Sequence, residues 1–425
     1  MIQLIFLLFI FLGRTVQSGV FNNYDGHKVL TVKTTTGENA NALLDIEKTE
    51  GILVDFWREP WKGNGTSDVR IAPEQFAEFE RFLKKNKMGY DVMIEDVGRV
   101  ICEEQQQLQN RTVFKKTNDS ALFTLNEFHT VEEIHDYLRA LASKFQSSVQ
   151  LFSIGKSTKQ RDQLGVKIGN SGREKRSIVL NGCIHAREWL SCASMLFIIS
   201  ELTANAHAYQ DILNKLDFYI IPVLNPDGYT YSWTDDRMWR KTLSGPIKGC
   251  FGADLNRNFD FKFMMAGSSS NPCSESFAGT HAFSEPETKN LANFLASRRN
   301  SVAAYFDIHC FGELFMFPYG YAKIYPPDAD DLRRVAENAV QAMNAQNGEK
   351  FRAGSIAEII YKVSGGSIDY AKAVLGINYT YAIELRPSNF KLPNGFIVPN
   401  AYIIPGAQEL WAGIRVVVQD VISGR

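Results

Sequence analysis

Ser177 to Leu202 reads SIVLNGCIHAREWLSCASMLFIISEL, and its two halves differ in kind. Ser177 to Leu180 (SIVL) predicts a short buried strand, while EWLSCASMLFIISEL, from Glu188 onward, predicts a buried helix. His185 and Glu188 stand at the junction, three residues apart, at the carboxyl edge of a strand where α/β proteins place their sites. In a turn entering a helix, residues i and i+3 fall on one side, so the pair can hold one ion. A second apolar run, VAAYFDIH, ends in His309 and offers a third ligand from another strand. Catalytic zinc takes three protein ligands and leaves a fourth position open. Either piece alone is weak, because HxxE strings arise by chance and a lone histidine at a strand end is usually a surface or core residue. The strand-to-helix context favours the metal.

Further motifs follow in order: HAREW at His185 to Trp189, NPDGY at Asn225 to Tyr229 and MWRK at Met238 to Lys241. GADLNRNFD starts at Gly252, FPYGY at Phe317, SGGSIDY at Ser364 and IELR at Ile383. With these motifs the chain resembles the zinc metallocarboxypeptidases of the A/B type, secreted as zymogens, over nearly its whole length. The resemblance implies one Zn2+ held by His185, Glu188 and His309, with Glu384 as the catalytic base and Arg240 as the donor to the oxyanion. It implies that Asn256 and Arg257 anchor the substrate's terminal carboxylate, that Tyr361 closes over it and that Arg187 reads the substrate further along. Asp254 matches the aspartate that orients the first histidine, and Cys250 and Cys273 match a bridged pair. Ile368 matches the floor of the specificity pocket, where basic-specific members carry an acid. Met316, Gly320, Ile356, Ile360, Val363 and Ala382 match its wall, which implies apolar C-terminal residues. Two departures stand near the cleft: Phe311 where tyrosine is common, and a longer stretch from Pro387 to Gly395.

The chemistry explains why these residue types are needed. Zinc lowers the pKa of a bound water to about 7, which makes a nucleophile at neutral pH. A carboxylate beside it accepts the water's proton, and the planar guanidinium fork pairs both oxygens of a terminal carboxylate. Alternation along YTYAIELR puts Ala382 on the face of Glu384.

Composition and the remaining segments set the frame. The 425 residues, 45% of them hydrophobic, predict two to three domains with a sizeable core. A net charge of −1 argues against a nucleic-acid partner. Residues 1–18 read as a signal peptide too short to span a bilayer, and no other stretch predicts a membrane span, so the expected location is extracellular. Residues 19–97 alternate strands and helices as a small ferredoxin-like α+β unit, similar to the family's inhibitory pro-domain. In it a helix through NALLDIE and a second starting at Pro73 are expected. Residues 98–116 read as a connecting helix ending at Lys115 and Lys116, a site for an activating trypsin-like protease. Residues 117–425 read as one α/β domain, a mixed eight-stranded sheet flanked by helices, with a final helix after Pro405.

Six cysteines suit an oxidising compartment; Cys183 and Cys192 are expected to be small buried residues. Cys310 follows His309 where the family usually has serine, beside a full ligand set. His27, His129, His135, His207 and His281 have no ligand spacing and are expected in polar surroundings. The sequence thus predicts a monomeric enzyme acting on peptide and protein C-termini. The rivals are an inactive protein of the same fold that binds peptide ends, and a peptide-processing enzyme with a different terminal preference.

Overall fold

A computed structural model of the protein describes residues 23–60, 65–111, 120–170, 175–388 and 395–424. The leader and the Lys115-Lys116 site lie outside the described residues. The N-terminal strands are β1 (Lys28–Thr34), β2 (Asp55–Arg58), β3 (Gly65–Ile71) and β4 (Tyr90–Ile94). They form an antiparallel sheet of order β2-β3-β1-β4, the ferredoxin-like arrangement expected. The helix Pro73–Lys85 starts on its proline, carries Glu74 in the first turn and Lys84 and Lys85 in the last, and so matches its own dipole. It buries Phe79, Phe82 and Leu83 with Leu30, Val32, Val69 and Ile71 on one face of the sheet. NALLDIE is not one helix: Gly37–Leu44 and Ile46–Glu50 are separated at Asp45.

The other face of the small sheet meets the large domain. Strand alternation puts Val29, Trp57 and Ile94 in the large domain's core, and Asp55 and Glu59 share the side of Trp57. The connecting helix Val97–Gln109, N-capped by Asp96, buries Val97, Val100 and Ile101 in the same core. It is also tied by Glu104, which accepts from Arg237 Nη2 at 3.0 Å.

The large domain holds β5 (Val149–Lys156), β6 (Asp162–Ile168), β7 (Arg176–Gly182), β8 (Leu216–Ile221), β9 (Val302–Cys310), β10 (Leu314–Phe317), β11 (Arg352–Ser355) and β12 (Tyr379–Leu385). The sheet order is β11-β10-β12-β9-β7-β8-β6-β5. The central β12-β9-β7-β8 pairs are parallel; β6 and β10 join antiparallel. Parallel strands are covered on both faces, and β9 is buried along its whole length. One face packs under the helices Trp189–Ala204, Ala329–Asn347 and Ile403–Ser423, the other under Pro286–Ser297 and Ser367–Ala373. The last helix takes Pro405 into its first turn instead of starting after it.

Trp189–Ala204 is apolar because it is buried, and no single helix among the described residues is long and apolar enough to cross a membrane. Cys250 and Cys273 are disulfide-bonded, and Cys183, Cys192 and Cys310 are buried thiols. His129 and His135 are buried among polar and charged neighbours, Glu133 beside the first and Arg139 and Asp162 near the second. The Nε2 of His129 lies 2.7 Å from Thr124 O.

Candidate active site

Three chain segments meet at the carboxyl edge of the central strands. His185 and Glu188 sit in the turn between β7 and the helix Trp189–Ala204, and His309 and Glu384 face each other in register on β9 and β12. The Glu188 carboxylate lies between the two imidazoles, Oε1 at 2.7 Å from His185 Nδ1 and Oε2 at 3.0 Å from His309 Nδ1. One donor atom from each residue falls within 4.8 Å of the others, all three buried. Burial alone would raise the Glu188 carboxyl, yet the flanking histidines hold it below the usual range. His309 is pushed up despite burial by Asp307 and Glu188.

The surrounding groups are fixed by pairs that span the chain. His185 Nε2 lies 3.0 Å from Asp254 Oδ1, and Arg240 donates to Asp254 Oδ2 from Nη2 at 2.9 Å and Nε at 3.1 Å. Burial would raise Asp254, but Arg240, Arg257 and His185 keep its carboxyl well below the normal range. Arg240 also stands 3.7 Å from Glu188 Oε1. Glu384 is pushed up to about 8, first by burial and then by Glu188, against His309 and Arg240. Its Oε2 is buried with no hydrogen-bond partner among the described residues.

A cavity of about 940 Å³ runs from this cluster past Asn256, Arg257 and Tyr361 to Ile368. Arg257 Nη2 lies 3.4 Å from the Tyr361 hydroxyl, which burial, then Glu59, pushes up to about 12. The SGG turn lies against Arg257: Gly365 has φ +69°, and a Cβ there would fall 2.2 Å from Arg257 O, so only glycine fits. Met316, Gly320, Ile356, Ile360, Val363 and Ala382 line the same cavity around Ile368. Glu358 is turned to Ser355 Oγ and Tyr325, whereas exposed Lys362 borders the cavity. Asp369 also borders it, a carboxyl the motif reading passed over. Burial pushes it up to about 7, and it accepts from Gly320 N at 2.9 Å and Tyr321 N at 3.1 Å.

Among the candidate catalytic, substrate and metal residues, Arg187 alone does not line this cavity. It is fully buried, with Nη1 2.7 Å from Asp55 Oδ2 and Nη2 3.2 Å from Oδ1. Asp55 also accepts from Arg70 Nε at 3.1 Å, so β2 claims Arg187 for the small domain. Glu59, two alternations on from Asp55, reaches Arg257 at 3.6 Å and borders the cavity. Burial raises Glu59, partly offset by Arg257 and Arg240. Asp55 was legible only as a strand residue and Glu59 only as the next position but one past Trp57. Asp307, two residues before His309, was legible as a charge inside an otherwise apolar run.

These features define a metallohydrolase class: a nitrogen- and oxygen-donor cluster beside a buried base, under a separate covering domain. The chain belongs to the zinc carboxypeptidase family, whose pattern it matches over residues 134–413, and residues 30–104 match the carboxypeptidase activation peptide. It is 36% identical over 404 residues to carboxypeptidase A2 of Mus musculus, covering 93% of this chain and 94% of that one. It is 32% identical to zinc carboxypeptidase A 1 of Anopheles gambiae, covering 88% and 84%. Carboxypeptidase A from Helicoverpa armigera superposes with a TM-score of 0.86 at 30% identity, covering 94% of this chain and 98% of that one. The chain is thus a zinc-dependent carboxypeptidase with an activation peptide. The His185, Glu188 and His309 donors suit zinc in type and number, and the Glu384 oxygen that has no partner among the described residues belongs to a side chain lining the same cavity.

Proposed function

We propose that this chain is the secreted zymogen of a carboxypeptidase that removes single apolar residues, aliphatic or aromatic, from peptide and protein C-termini. One observation carries the exopeptidase reading: a single cavity joins the His185-Glu188-His309 cluster to Arg257, against which a carboxylate, that of Glu59, already lies. In the cleaved enzyme the substrate's own terminal carboxylate takes that place, paired by the guanidinium fork and flanked by Asn256 and the Tyr361 hydroxyl.

Zinc, held by His185, Glu188 and His309, supplies a Lewis acid for the scissile carbonyl and an acidified water. Glu384 accepts the attacking water's proton and passes it to the leaving amine. Arg240, aimed by its two bonds to Asp254, donates to the oxyanion. Ile368 closes the floor of the side-chain pocket, where an unpaired Lys or Arg head group would cost about 2 kcal/mol or more. The two oxygens of Asp369 are already engaged by backbone amides.

Residues 1–18 direct the chain out of the cell, 19–97 form the inhibitory domain, and cleavage near Lys115 and Lys116 by a trypsin-like protease frees the monomeric catalytic domain, 117–425. The test is zinc content together with turnover of blocked dipeptides ending in Phe, Leu, Lys and Glu after trypsin treatment. Zinc with preferential release of Phe and Leu supports the reading. No zinc and no turnover would leave the inactive peptide-end binder, and a preference for Lys would overturn the pocket assignment.

A further inference from the structure

We propose that Asp307 is a positioning residue for two parts of the site at once, the metal ligand His309 and the carboxylate anchor Asn256. The inference rests on the ligand reading above. Asp307 is completely buried on β9. Its Oδ2 lies 3.1 Å from His309 Nε2, accepts from Ser367 Oγ at 2.6 Å and takes Asn256 Nδ2 at 3.3 Å; its Oδ1 accepts from Asn181 Nδ2 at 2.7 Å. A buried carboxylate persists only where donors fill its lone pairs, and here they come from four separate segments.

Ser367 N donates to Asn256 Oδ1 at 2.9 Å, which turns the Asn256 NH2 group towards Asp307 and His309. When Nδ1 is the atom that binds the metal, Nε2 must carry the ring proton, and the carboxylate oxygen beside it, 3.1 Å away, is that of Asp307. The neutral ring then directs its Nδ1 lone pair at the ligand cluster, the orientation a metal needs. His185 is built the same way, with Nε2 on Asp254 and Nδ1 towards Glu188. The two clamps differ in what they share: Asp254 is tied to Arg240, Asp307 to Asn256 and to the first residue of the helix carrying Ile368. Loss of Asp307 therefore loosens the metal ligand and the carboxylate anchor together.

The test uses the full chain, before and after trypsin treatment, with zinc affinity read by competition with a chromophoric chelator and ligand geometry by the visible spectrum of the cobalt-substituted protein. Asp307→Ala removes the acceptor, and Asp307→Asn keeps an oxygen but not the charge. We expect zinc affinity to fall about 10- to 100-fold in Asp307→Ala and less in Asp307→Asn, both with altered cobalt spectra. KM for a blocked dipeptide should rise in Asp307→Ala as Asn256 loosens. Ser367→Ala, which breaks a bond to the same carboxylate without touching His309, should stay within about twofold of wild type in zinc affinity.

A folded Asp307→Asn protein with wild-type zinc affinity and cobalt spectrum overturns the proposal, and this variant decides alone if Asp307→Ala does not fold. So does a Ser367→Ala protein that loses zinc as readily as Asp307→Ala, since the effect would then be general packing. A wild-type chain that binds no zinc would instead sink the ligand reading, a result distinct from zinc binding indifferent to residue 307.

Discussion

The ends of β9 and β12 and the end of β2 use one geometric rule for opposite purposes. On β9 alternation aligns Asp307 with His309, and on β12 it aligns Ala382 with Glu384, so each strand delivers a side chain and its support to one cleft. On β2 alternation aligns Asp55, Trp57 and, just beyond the strand, Glu59 on the side that faces the large domain, with Trp57 and Glu59 bordering that same cleft. The two regions differ in how they are held. Asp254 and Asp307 sit in several bonds within one domain, whereas the small domain's grip near the site rests on Asp55 with Arg187, Glu59 with Arg257, and the packing of Trp57 against Phe311 and Phe396. A network internal to one domain survives cleavage of the chain elsewhere. A few contacts between domains hold only while the domains stay together.

Four changes test this contrast, two on each side. The largest effect should come from removing the metal: a strong chelator should abolish the activity of trypsin-cut protein, and added zinc should restore it. Because metal binding competes with protons for its ligands, zinc loss should be faster as pH falls. Activity that persists in the metal-free protein would place the chemistry elsewhere. Next, Glu384→Gln should lower kcat by about 10²- to 10⁴-fold while keeping zinc, because an amide cannot take a proton from water. A rate within about tenfold of wild type would show that another group is the base.

On the covering side, Asp55→Ala leaves Arg187 as an uncompensated buried cation, which costs about 3 to 5 kcal/mol. The small domain should then bind the cut catalytic domain far more weakly, measured as inhibition by the released activation peptide. Unchanged inhibition would show that apolar packing, not this pair, carries the grip. Smaller still, Glu59→Gln should raise the hydrolysis of a blocked dipeptide by the uncut chain, because the 940 Å³ cavity then leaves Arg257 to the substrate. The pair is a long contact of 3.6 Å between largely buried groups, and Gln keeps a polar group beside Arg257, so the gain should be about several-fold to tenfold. An uncut chain that already cleaves large peptides at the rate of the cut one would refute inhibition by this domain altogether.

Much of the site was legible because its pieces are local. His185 and Glu188 are three residues apart at a strand-to-helix junction, Glu384 lies in an apolar strand, and the motifs around Asn256, Arg257 and Tyr361 carried a resemblance to the family. The structure gathers all of them at one cavity. Arg187 was read as a substrate residue from its place in HAREW, and its partner in the covered chain, Asp55, lies 132 residues away, where no motif could point. Asp369 was overlooked beside Ile368 because the pocket wall was judged by apolar positions alone, while only the fold shows its carboxyl under Gly320 and Tyr321.

By itself the sequence determined which elements form and which faces they bury, since periods of two and 3.6 residues are properties of the local backbone. It determined the ligand types too, because the spacing of His185 and Glu188 needs only one turn of chain. Only the tertiary structure decided which carboxylate serves which partner. Asp254 reaches His185 across 69 residues, Glu188 reaches His309 across 121, and Asp307 reaches Ser367 across 60. Such pairings depend on strand order and on the angle at which β2 of the small domain meets the large one. Buried charges persist only where that geometry brings a partner within hydrogen-bonding distance.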